Sequence, residues 1–185
     1  MNYYLPKSVE IDGTEYEIRS DYRAALDVCT ALSDPGLSDE EKAYNALLIF
    51  YPAFENEMPP RHYETAIKEM YRFLNGGDLD DHPRKQPRMV DWEQDFPLIV
   101  APMNRVTGQE IRAAEYMHWW TFLAAYQEIG GDCTFAQVVG IRYKKAAGKR
   151  LDKQEREFYR KNRKLVDFKQ NYTTAEEKTL KAWGV

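Results

Sequence analysis

Tyr116-Met117-His118-Trp119-Trp120-Thr121-Phe122 is the stretch on which the fold turns. Its aromatic residues fall on more than one face of a helix, a pattern that belongs to a helix packed on nearly all sides and not to one wetted along a stripe. Thr107 with Glu110 predicts the cap of this helix, and Gly130-Gly131 its stop. The segment is therefore expected at the centre of a mainly α, single-domain helical bundle, with Trp92, Met117, His118, Trp119, Trp120 and Phe122 in the structural core. It offers no catalytic chemistry.

Upstream, Val9-Glu10-Ile11 and Tyr16-Glu17-Ile18 alternate apolar with polar residues around Asp12-Gly13, which predicts an N-terminal β-hairpin over residues 8–19. A lone hairpin is marginal, so it must pack on helices or be extended by another chain. Ser20 or Asp21 is placed to cap a helix from Tyr22 to Leu32. Ser38 with Glu41 forms a capping box for the helix that carries Ala43, Leu47, Phe50 and Tyr51, closed by Pro52. Pro59-Pro60 opens another, with Tyr63, Ile67, Met70 and Leu74 at helical spacing.

Residues 76–90 contain two prolines and no period, and read as a flexible loop. Beyond it Asp91 with Gln94 caps a helix through Leu98, Ile99 and Val100. Proline in a regular helix interior costs about 3 kcal/mol, so Pro102 predicts a kink or an early end. Thr134 with Gln137 caps Phe135 to Tyr143. Asp152 with Glu155 opens a basic C-terminal helix over residues 152–168, whose thin apolar stripe is chiefly Phe158, Tyr159 and Leu165. Thr174 with Glu177 starts a final short segment ending at Trp183-Gly184. Residues 1–185 read as one domain with a long excursion.

Hydrophobic residues at 43% and charged residues at 30% of 185 positions support a real core and argue against wholesale disorder. An aromatic fraction of 14% serves that core and also suits a protein-binding surface. The net charge of −4 argues against a general nucleic-acid binder. The charge is uneven: the N-terminal half is acidic, whereas Arg142, Lys144, Lys145, Lys149, Arg150, Arg160, Lys161, Arg163 and Lys164 form a basic partner-binding candidate. Such asymmetry fits an acidic partner or a neighbouring copy, and equally a solvated helix face. Cys29 and Cys133 read as buried free thiols, which suits a reducing cytoplasm. No run approaches the roughly 18 apolar residues of a membrane span, and no secretory signal is expected.

His62, His82 and His118 share no metal-ligand spacing, and His118 reads as a hydrogen-bonded structural histidine. Asp78-Leu79-Asp80-Asp81-His82 lacks the spacing of a calcium loop. The glycine pairs Gly76-Gly77 and Gly130-Gly131 lack the strand-turn-helix setting of a phosphate loop. No nucleophile signature, catalytic residue or cofactor site is nominated. Tyr143, Phe158 and Tyr159 interleave with cations as single-strand binding would use, but Asp152, Glu155 and Glu157 dilute the patch.

Several segments, taken in order, resemble the bacteriophage gene-product-fifteen family of long-tailed phages and prophages of Gram-positive bacteria. They are Leu5-Pro6-Lys7-Ser8-Val9, Ser20-Asp21-Tyr22-Arg23, Leu37-Ser38 with Glu41-Lys42, and Ala46-Leu47-Leu48-Ile49-Phe50-Tyr51. Asp91-Trp92-Glu93-Gln94-Asp95, Met117-His118-Trp119-Trp120-Thr121-Phe122 and Gly140-Ile141-Arg142 complete the set. Ala101-Pro102-Met103-Asn104 departs from the pattern, where the family continues a helix with an aromatic residue.

The resemblance implies a non-enzymatic tail assembly chaperone without a cofactor, which coats the tape-measure protein while the tail tube polymerises around it. Further partners so implied are the tail tube protein, a second short chaperone product and other copies of the chain. The implied place is the host bacterial cytoplasm, with absence from the mature virion. The hairpin edge and the basic helix are the expected surfaces for self-association and client contact. A structural or connector component retained in the virion, and a nucleic-acid-binding regulator, are the alternatives.

Overall fold

Strands β1 (Ser8–Ile11) and β2 (Thr14–Glu17) pair antiparallel across Asp12 and Gly13, whose φ angles of 50° and 77° make the tight turn. The computed structural model describes residues 4–78 and 87–169. Residues 79–86 of the expected loop, His82 among them, and the expected segment from Thr174 lie outside the described residues. In the hairpin, Val9 faces Tyr16 and Ile11 faces Thr14 on the inner side, while Ser8 faces Glu17 and Glu10 faces Glu15 on the outer. Ile11 and Tyr16 are buried, and the Tyr16 hydroxyl lies 2.9 Å from Nδ1 of buried His62.

Nine α-helices follow among the described residues: α1 (Tyr22–Ser33), α2 (Asp39–Phe50), α3 (Phe54–Glu57), α4 (Tyr63–Leu74), α5 (Trp92–Thr107), α6 (Trp119–Gln127), α7 (Thr134–Ala146), α8 (Lys153–Lys161) and α9 (Arg163–Val166). The fold is mainly α with an N-terminal hairpin. Asp21 caps α1, Ser38 and Glu41 close a full capping box on α2, and Asp91 caps α5. A 3-10 turn, Pro60–His62, leads into α4.

Helix α5 runs through Pro102 instead of ending there. Pro102, Ile99, Val100 and Met103 are all buried, between α1, α6 and α7. Burial of each large apolar side chain contributes roughly 1.5–3 kcal/mol, which together outweighs the one ladder bond that proline removes. The helix stops at Gly108, whose φ of 69° is left-handed.

The aromatic helix starts later than its sequence predicts. Thr107 ends α5, its hydroxyl donating to the Met103 carbonyl, and Glu110 caps a 3-10 turn at Ile111–Ala113. Helix α6 begins only at Trp119, with His118 as its cap. The reason is a tie to α1: Tyr22 N–H donates to Met117 O, and Trp119 N–H to Ser20 O, at 2.9 and 2.8 Å. An isolated bridge thus joins Asp21 to His118 and sets two helix N-termini side by side.

Met117, His118, Trp119 and Phe122 are buried, and Trp92 and Trp120 pack half-buried against them. Tyr22 stacks on Phe122 at 4.8 Å between centroids, and Phe122 on Trp119 at 5.4 Å. The two indoles also close the end of α4. Trp119 Nε1 donates at 2.9 Å to Leu74 O, a carbonyl that the helix end leaves free, and Trp120 Nε1 at 2.8 Å to Phe73 O, which also accepts from Gly76 N–H.

A smaller cluster, Val138, Ile141 and Val166 with Phe158 and Leu165 against them, joins α7, α8 and α9. Leu98 of α5 packs on both clusters. Two elements here depart from their sequence patterns. Helix α7 is capped by Cys133, whose Sγ accepts from Ala136 N–H, and Thr134 is already helical. The basic helix is not continuous over 152–168: Asn162 interrupts it, with its amide and side chain both turned back on Phe158 O. The next turn is then drawn towards Arg142, which binds the Leu165 and Val166 carbonyls.

Candidate functional site

The basic partner-binding candidates divide once their surroundings are known. Arg142 does not belong to the surface. Its side chain is 4% exposed and forms a bidentate pair with Asp95, which is fully buried. Helical spacing alone aligns it with Lys145, but the Met89 carbonyl and the α9 backbone close over it. Of the rest, Lys144 pairs with Glu155, Lys145 with Asp167, and Lys161 with Glu157, while Arg163 reaches Asp167 at 3.8 Å. Lys149, Arg150, Arg160 and Lys164 are exposed with no acid within 4.0 Å among the described residues. Lys153 and Arg156 are in the same position. Lys153, Arg156 and Arg160 stand at i, i+3 and i+7 on α8, a helix with no buried residue.

A second open surface was not visible in the sequence. Between α1 and α5 lies a groove of about 580 Å³ with Tyr22, Leu26, Trp92 and Phe96 as its apolar lining and Asp27 and Glu93 among its polar groups. A smaller recess of about 380 Å³ shares Thr30, Trp92 and Glu93 with it and continues along α1 to Asp34. Desolvation raises the Asp27 carboxyl above its ordinary pKa. Neither Asp27 nor Glu93 has a cationic partner within 4.0 Å among the described residues, whereas Arg23 and Arg112 on the rim are taken by Asp21 and Glu110. Glu110 is held down to about 2 by the Arg112 guanidinium. The outward residues of α1 resemble an ordinary solvated face, and only the arrival of Trp92 and Phe96 turns that face into a trough.

The titratable groups of the interior serve structure. His118 Nδ1 accepts from Trp120 N–H at 3.0 Å, which leaves the proton on Nε2 to donate to Pro6 O at 2.9 Å. Burial lowers its pKa and keeps it neutral. Cys29 and Cys133 are free and half-buried, and burial pushes the Cys29 thiol up to about 11. Among the described residues no group of three His, Cys, Asp or Glu is gathered for a metal ion, and no buried side-chain polar atom lacks a partner. No helix among them is long and apolar enough to cross a membrane.

Residues 1–168 match the family described as Bacteriophage Gp15 protein. The chain belongs to that family. The Gp15 match takes in the hairpin, the paired tryptophans, the groove and the basic end, and so covers both open surfaces. No curated protein and no solved structure matches the chain.

Proposed function

We propose that this Gp15 protein is a phage tail assembly chaperone: a non-enzymatic subunit that binds the tape-measure protein in the host cytoplasm during tail morphogenesis and is left out of the finished virion. The observation that carries the reading is the α1/α5 groove. Leu26, Trp92 and Phe96 of its lining are half-buried and reach solvent, and its unpaired Asp27 and Glu93 favour a partner with cations beside an apolar stripe. An amphipathic client helix fills such a groove with anchors at i, i+3, i+4 and i+7. A tape measure exposes long helical surfaces of that kind, which aggregate when bare. One groove covers little of it. Many copies along one client bind by summed weak contacts and can still be displaced one at a time by tube subunits.

Co-expression tests this. The tape-measure protein of the same genome should stay soluble and co-purify with the chain, and mass spectrometry of purified virions should not find the chain. A tape measure that is equally soluble alone and never co-purifies refutes the client reading. Stoichiometric chain in virions makes it a retained tail component instead.

A further inference from the structure

The two ends of this molecule carry opposite charge. Residues 4–78 hold seven Lys and Arg against fifteen Asp and Glu, a net −8, whereas residues 134–169 hold twelve against four, a net +8. The hairpin belongs to the acidic end, where it packs on α4, and α8 and α9 belong to the basic end, where they pack on α7. Each end presents a surface with uncompensated charge. On the hairpin's outer side Glu10 stands directly opposite Glu15, with exposed Glu17 beside them and no Lys or Arg paired to any of the three among the described residues. Like charges facing each other across strands destabilise the pair, so a cationic neighbour there is favoured. On α8, Lys153, Arg156 and Arg160 line one exposed face, and Glu157 at its edge is already occupied by Lys161.

We propose that the outer face of the hairpin in one copy docks on the outward face of α8 in a second copy of this chain. Nucleic acid would also be drawn to α8, but the fit of two equal and opposite ends within one chain of net charge −4 favours the second copy. The contact joins two different surfaces and so repeats from copy to copy, as coating of a long client requires. It stands apart from client capture: the assay below contains this chain alone.

Sedimentation velocity of the full chain should show association that grows with concentration at about 0.05 M salt and fades at about 0.5 M, where the screening length is shorter than an ion-pair contact network. The double variants Arg156→Glu/Arg160→Glu and Glu10→Lys/Glu15→Lys should each self-associate at least about tenfold more weakly. Mixed in equal amounts they should associate again, to within about threefold of wild type, because each then offers the charge the other lacks. Circular dichroism verifies that both fold, and the wild-type salt dependence stands without them. A wild type that is monomeric at low salt, a variant that associates normally, or a mixture that stays apart overturns the proposal. So does tight binding of a DNA duplex by monomeric protein.

Discussion

Arg142 and Asp95 form a buried bidentate pair in which every guanidinium N–H is used. Nη1 and Nη2 meet the carboxylate at 2.5 and 2.9 Å, and the other donors reach the carbonyls of Met89, Leu165 and Val166. The ring of Phe168 lies 4.1 Å from the guanidinium carbon. Gln94, one residue before Asp95, donates to Asp167 O and accepts from Lys169 N–H. This node therefore fastens the C-terminal segment to the start of α5. Removing one member of such a pair strands a buried charge, at about 3–5 kcal/mol. Arg142→Ala should lose that much in urea unfolding, and Arg142→Lys most of it, because an ammonium cannot supply a planar fork. Hydrogen exchange should quicken first at Leu165–Asp167. A loss below about 1 kcal/mol with unchanged exchange contradicts the assignment.

The adjacent tryptophans predict an asymmetry. Trp119→Phe keeps a ring but leaves Leu74 O without its donor in a buried place, which costs about 1–3 kcal/mol before any packing loss. Trp120→Phe should cost less, since Trp120 is half-buried and water can replace its indole at Phe73 O. Equal losses in denaturant titrations argue against the helix-end role.

What could be read from the sequence follows from how local each signal is. Ser38 with Glu41, Asp91 with Gln94, and Asp152 with Glu155 act within one turn, and all three cap as predicted. Thr107 misleads because a threonine hydroxyl also bonds back to the carbonyl four residues earlier, here Met103 O, which suits the end of a helix. Cys133 caps with a thiol, a residue type that capping rules pass over. The bundle's aromatic centre was legible from composition and period. The location of Arg142 was not, for its partner lies 47 positions away. The groove needed α5 laid against α1, and nothing in α1 alone announces it.

His118 gives a pH signature. Burial holds its folded pKa below the ordinary 6.5, so the folded protein binds fewer protons than the unfolded chain as pH falls below that value. Its contribution is complete above 6.5, declines as pH drops towards the folded pKa, and then levels off. His118→Asn keeps a good helix cap and abolishes the titration. Stability measured by urea from pH 7.5 to about pH 5 should fall less steeply for the variant, by up to about one proton's slope. Parallel curves exclude His118 as the source.

Client capture and self-association should separate by mutation. Leu26 is half-buried in the groove lining and Thr30 is exposed at the junction of its two parts. Leu26→Glu places a carboxylate in the apolar lining, and Thr30→Trp fills the trough, without disturbing a fully buried side chain. Each should weaken binding of a single tape-measure helix by about tenfold in calorimetry. Arg156→Glu/Arg160→Glu should leave that one-to-one affinity within about twofold, because α8 lies apart from the groove. The same variant should lose capture of the full-length client, where many copies act together. If groove variants bind the peptide as wild type does while the α8 variant fails, the client sits on the basic end and the roles of the two surfaces are exchanged.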